Sequence, residues 1–192
     1  MNIDYCKFLL LFFVVFSGSA VAGPIDLNDF YADANVSVSA NGSTATFSED
    51  PTWSSVLLSN DPGFGDPEVI VAAENMFLNF HYEFSEGFGN DDGFYAFILD
   101  ANTGSAISGF DFSVDESGVG DVSFDLTSLV GSFLGLQFEL GSYDAFFDST
   151  LIVSNVMIVA GDVVPVPEPS TPVLFSLGLF ALWYSRKTVR KK

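Results

Sequence analysis

In this 192-residue chain, carboxylates and aromatic rings are the side chains numerous enough to do chemistry: 25 Asp and Glu stand against six Lys and Arg, and 22 residues are Phe. Two carboxylates a few ångströms apart can run glycoside hydrolysis, one as proton donor and the other as nucleophile or base. With 24 acids between Asp26 and Glu168, some pair meets that distance in any fold, so the residues single out none. Calcium is the better use of them, because hard cations want several oxygens on flexible loops. Two Gly-rich acidic loops, Asn60–Asp66 and Gly87–Gly93, supply Asp61, Asp66, Asn90, Asp91 and Asp92, and Glu49, Asp50 and Asp148 form a further set. Neither loop has the EF-hand spacing, and solvated turns rich in Asn, Asp and Gly carry the same residues.

Rings with a polar handle offer a second chemistry. A planar ring stacks on a pyranose face while carboxylates and amides take the hydroxyls, and Trp53, Tyr82, Tyr95 and Tyr143 are the candidates for such stacking. Most of the phenylalanines are more simply core. His81, the single histidine, alternates away from Phe80 and Tyr82 and reads as structural or solvent-facing. No G-x-S-x-G, H-E-x-x-H or zinc-type Cys/His spacing occurs, so no catalytic residue is assigned.

The placement of charge excludes whole classes of function. The cations are Lys7, Arg186, Lys187, Arg190, Lys191 and Lys192, so nothing from Phe8 to Ser185 is Lys or Arg. Such a body cannot neutralise phosphates, which removes nucleic-acid binding and P-loop chemistry. It also rules out salt bridges within the body, His81 being its one proton-dependent cation. The formal net charge of −19 understates the body, which without its ends stands near −24. Self-repulsion on that scale calls for screening by salt or divalent ions.

These residues must be positioned by strands. Alternation is plain in Phe110/Phe112/Val114, Val122/Phe124/Leu126 and Leu134/Leu136/Phe138/Leu140, each with polar residues between. About ten such segments, separated by Gly, Asn, Asp and Pro, predict an all-β, antiparallel two-sheet sandwich of jelly-roll type over residues 23–164. The segments Val122–Thr127, Leu134–Leu140 and Ser149–Val156 also loosely resemble the closing strands of carbohydrate-binding-module-like jelly rolls.

The two ends read as addresses. Lys7, the nine apolar residues Phe8–Phe16 and Ala20-Val-Ala22 make a signal peptide over 1–22, with Ala20 and Ala22 marking the cleavage site. Nine helical residues reach only about 14 Å, too short to span a bilayer. Cys6 leaves with that peptide, so the mature chain has no thiol. At the other end, residues 165–192 combine Pro167-Glu168-Pro169, an apolar run expected to form a short transmembrane helix, and a basic tail that stays cytoplasmic. This triad resembles the PEP-CTERM sorting signal of Gram-negative envelope proteins. The resemblance implies that an exosortase recognises Pro167-Glu168-Pro169, severs the tethered precursor near it, and delivers the body to the cell surface or extracellular matrix.

The sequence thus leads to an exported, non-enzymatic surface protein, processed by signal peptidase and exosortase, associating with exopolysaccharide and using calcium bridges. A carbohydrate-active enzyme with a carboxylate pair and a self-associating envelope component are the alternatives.

Overall fold

The computed structural model describes residues 23–52, 54–61, 63, 69–89, 91–143 and 146–161. Outside them lie both expected terminal helices, the cleavage residues Ala20 and Ala22, the sorting residues Pro167, Glu168 and Pro169, and the candidates Trp53, Asp66 and Asn90. The chain divides after Ala160 into two units, and the fold described is that of the first.

Twelve strands are present among the described residues: β1 (Gly23–Pro24), β2 (Tyr31–Ala32), β3 (Val36–Val38), β4 (Thr44–Ser48), β5 (Ser55–Ser59), β6 (Ile70–Val71), β7 (Met76–Ser85), β8 (Gly93–Asp100), β9 (Ser105–Val114), β10 (Gly118–Asp125), β11 (Phe133–Gly141) and β12 (Thr150–Ala160). One sheet runs β10-β7-β12-β4-β3 with β1 also on β12; the other runs β2-β5-β11-β8-β9 with β6 also on β11. Every pairing is antiparallel. The result is the two-sheet, jelly-roll-like sandwich that the alternation predicts. The short β1 and β2 go beyond the segments legible by alternation, since two residues show no period.

Alternation decides which side chains face inward. Leu134, Leu136, Phe138 and Leu140 of β11 are fully buried, as are Phe94, Ala96 and Ile98 of β8, while Leu78 and Phe80 of β7 oppose them from the other sheet. Phe80 is the hub, with its ring 5.1 Å from Phe138 and 6.2 Å from Phe94, both edge-on. Such edge-to-face pairs add to the burial of apolar area. Tyr82 joins this core, its ring 5.4 Å from Phe94 and 5.2 Å from Phe112.

β12 breaks strict alternation. Its register on β7 shifts between Ser154 and Met157, where Asn155 has φ of 54°. This bulge inserts the extra residue that keeps Val153, Val156 and Ile158 all on the buried side.

Candidate functional site

The outer face of the β2-β5-β11-β8-β9 sheet gathers the rings and acids. Register places Ser113, Tyr95, Glu139 and Leu57 in one row across β9, β8, β11 and β5, and Asp33 lies beside Leu57, exchanging two hydrogen bonds with it. A second row holds Asp111, Phe97 and Gln137. From Ser113 to Asp33 there are four inter-strand steps of ~4.8 Å, about 19 Å in all.

The rings form a surface because of two glycines. Gly93 and Gly141 face each other across β8 and β11. A Cβ on Gly93 would come within 2.9 Å of the Tyr95 hydroxyl, and one on Gly141 within 2.8 Å of the Tyr143 ring, so each tyrosine lies down over a glycine. Phe97 follows Tyr95 with its ring 6.3 Å away and 3° from parallel. Tyr143 is 59% exposed, and Tyr95 and Phe97 are half-buried, so ring surface remains open to solvent. Burial first, then the neighbouring Tyr95 hydroxyl and the Glu139 carboxylate, raise the Tyr143 pKa. Gln137 Nε2 donates to Glu139 Oε2 at 3.3 Å, presenting an amide and a carboxylate beside the rings.

At the β5 edge the face continues into a cleft of about 480 Å³ lined by Tyr31, Asp33, Asn35, Asp50, Ser55 and Leu57. The Tyr31 hydroxyl donates to Asp33 Oδ1 at 3.1 Å, and that bond, with the carboxylate's charge, raises the tyrosine's pKa. The arrangement offers flat apolar ring faces flanked by hydroxyl, amide and carboxylate groups, which suits a polyhydroxylated ligand.

A second cluster lies at the end of the sandwich where β4, the 86–92 loop and the start of β12 converge. Glu49 and Asp92 are 6% and 2% exposed, and their carboxyls adjoin. Ser149 donates its N–H to Glu49 Oε2 at 2.8 Å and its hydroxyl to Asp92 Oδ2 at 2.6 Å. Among the described residues, Glu49 Oε1 is buried without a hydrogen-bond partner. Burial, opposed by bonds from Ser142 and Ser149 and reinforced by the Asp92 charge, raises the Glu49 pKa. Burial and the surrounding Asp92, Asp115, Glu116 and Asp91 raise that of Glu86 as well.

Of the sequence-derived calcium candidates, the structure brings Glu49, Asp92 and Asp148 to this end. Asp148 Oδ1 is already engaged by the Phe88 N–H at 2.9 Å. Asp50 instead accepts from the Thr52 N–H in a turn, Asp61 accepts from the Gly63 N–H elsewhere, and Asp91 is exposed. Among the described residues no three His, Cys, Asp or Glu side chains are grouped as metal ligands.

Of the candidate rings, Tyr95 and Tyr143 share the open face. Tyr82 does not, because it lies on the inward side of β7 against Phe94 and Phe112. Phe97, Gln137 and Glu139 escaped the sequence reading; the signal for Phe97 was a strand, Gly93–Asp100, with large apolar residues at both parities. His81 faces outward on the other sheet, its Nδ1 2.8 Å from Asp121 Oδ1 and its Nε2 3.9 Å from Glu83. Protonated, it makes the one kind of ion pair a body without Lys or Arg permits, so the exclusion of salt bridges holds only while His81 is neutral.

Comparison with known proteins bears on the chain's end. Residues 165–191 match the PEP-CTERM protein-sorting motif. A chain that carries this motif is exported, made as a membrane-anchored precursor that exosortase processes to the cell surface. No curated protein matches this chain. Among solved structures, TmCBM61 in complex with beta-1,4-galactotriose is similar at 12% identity and a TM-score of 0.45, over 69% of this chain and 87% of that one. A structure titled for CBM4 is similar at 12% identity and a TM-score of 0.40, over 69% and 78% of the two chains. The glycoside hydrolase domain of Endo-D from Streptococcus pneumoniae R6 shows 14% identity and a TM-score of 0.45; 69% of this chain and 20% of that one are covered.

Proposed function

We propose that the sandwich is a non-catalytic glycan-binding body that associates with exopolysaccharide once sorting has delivered it to the surface, after removal of a signal peptide ending at Ala22. The observation that carries this reading is the pair of parallel, partly open rings of Tyr95 and Phe97, continued by Tyr143 and edged by Gln137 and Glu139. Sugar rings stack on such faces, and the amide and carboxylate take their hydroxyls. A non-catalytic role is supported by the burial of one adjoining carboxyl pair: Glu49 and Asp92 are covered, where a glycosidic bond does not reach. The test is retention of the purified chain on immobilised polysaccharides, comparing wild type with Tyr95→Ala and Phe97→Ala. Loss of retention in variants that keep the wild-type melting temperature supports the reading; unchanged retention in both refutes it.

A second reading concerns calcium, and the unpartnered Glu49 Oε1 favours it. Glu49 and Asp92 are the carboxylates that would hold the ion, with Ser142 and Ser149 beside them. When bound, a divalent cation supplies the positive charge that two adjoining buried carboxylates lack and ties β4 to the 86–92 loop.

A further inference from the structure

The charge around the ring face points to the class of glycan it takes, an inference that rests on the glycan-binding reading above. Glu139 stands directly beside Tyr95 in the same cross-strand row, and Asp111 directly beside Phe97 in the next. Asp33 and Asp50 line the cleft at the far edge. Each ring in the path of a ligand therefore has a carboxylate within one strand of it, and nothing between Phe8 and Ser185 is Lys or Arg. His81, the one side chain in that span that can turn cationic, sits on the opposite sheet.

A polymer of uronic acids laid on this face meets only like charge, without a cation to bridge it. A glycan carrying free primary amines meets the reverse. Its ammonium groups are drawn both to the carboxylates and to the negative faces of the aromatic rings. Glu139 is placed to receive such a group from a sugar stacked on Tyr95, while Gln137 holds the carboxylate in position through its 3.3 Å hydrogen bond.

We propose that the Tyr95–Phe97–Tyr143 face binds amino-sugar polymers whose amines are free and protonated, in preference to their N-acetylated or anionic counterparts. The two forces are those of an exposed ion pair and a cation–π contact, which together favour the free amine by about tenfold at low salt.

The experiment is calorimetric titration of the full chain, purified in detergent with EDTA present, against glucosamine oligomers, their N-acetylated forms, a neutral glucan oligomer and an oligouronate. The expected result is about tenfold tighter binding of the free-amine oligomer than of its acetylated form. High salt and Glu139→Gln remove most of that margin, and Tyr95→Ala weakens both ligands. Equal binding of the amine and acetylated forms, unchanged by Glu139→Gln but lost in Tyr95→Ala, overturns the amine preference and leaves the ring platform standing. Tighter binding of the oligouronate likewise overturns the preference. Binding of no oligomer, or binding indifferent to Tyr95→Ala and Phe97→Ala, overturns the platform and the preference together.

Discussion

Asp92 holds Tyr143 in place: its Oδ1 accepts the tyrosine's backbone N–H at 3.1 Å, while its Oδ2 takes the Ser149 hydroxyl. A buried carboxyl on the edge of the core thereby sets the position of an exposed ring on the open ring face. The acid cluster and the ring platform are one connected structure, and perturbing the first should be felt at the second.

Replacing Asp92 with Ala removes the acceptor for Tyr143 N–H and Ser149 Oγ. Each donor left without a partner in a covered position costs about 1–3 kcal/mol. Asp92→Ala is expected to lower the melting temperature and weaken glycan retention together. Tyr143→Ala, by contrast, truncates an exposed ring and should weaken retention with stability within about 0.5 kcal/mol of wild type. Paired melts and retention assays on the two variants check this; retention unaltered in both would separate the cluster from the face.

The two glycines under the tyrosines are steric requirements. A Cβ at Gly93 approaches the Tyr95 hydroxyl to 2.9 Å, closer than non-bonded contact allows, so Gly93→Ala should push that ring off the sheet. The tyrosine can swing into solvent, so the expected outcome is weaker glycan retention with a small change in melting temperature. A variant retaining full affinity would show that the lying-down ring is not the bound form.

The Glu49 carboxyl, raised by burial and then by Asp92, makes a signed prediction. The folded state holds this proton more tightly than the unfolded chain does. Its stabilisation is whole at pH values below the ordinary glutamate pKa and is lost as pH rises through the raised folded value. Asp125, lowered by hydrogen bonds from Thr127, acts in the opposite sense: its contribution is present above the ordinary aspartate pKa and fades as pH falls through the lowered one. In calcium-free buffer, wild type should lose stability on going from acid toward neutral pH, and Glu49→Gln should lose less. Parallel melting curves for the two proteins would count against the assignment.

Calcium and salt should act separately. Screening of the body's carboxylates by NaCl raises the melting temperature in wild type and in Asp92→Asn alike. Calcium at matched ionic strength should raise wild type further, by about 2.7 kcal/mol when the ion is at a hundred times its Kd, and the excess should vanish in Asp92→Asn. Equal effects of the two salts on wild type would eliminate the site.

The hub of the core gives the largest expected loss. Phe80 is 2% exposed and its ring meets Phe94, Phe112, Phe124 and Phe138. Phe80→Ala is expected to cost about 3–5 kcal/mol in denaturant unfolding. A cost near 1 kcal/mol would mean the two sheets close over the cavity.

The amino-acid sequence by itself determined the sandwich and the sorting. Period-two segments such as Leu134–Leu140 have one possible buried face, and the Pro-Glu-Pro segment, apolar run and basic tail are contiguous, so both are legible without a partner. The segment Phe94–Leu99 was different, because it is apolar at both parities and alternation cannot say which half faces out. Only pairing with β9 and β11 turned Phe94, Ala96 and Ile98 inward and left Tyr95 and Phe97 beside Glu139 and Gln137. The same holds for Tyr82, whose inward place rests on packing against Phe94 and Phe112, and for Glu49 and Asp92, which lie far apart in the chain. Local pattern reports what a strand must bury somewhere; which side chains meet across strands and sheets is a long-range outcome that only the tertiary structure decides.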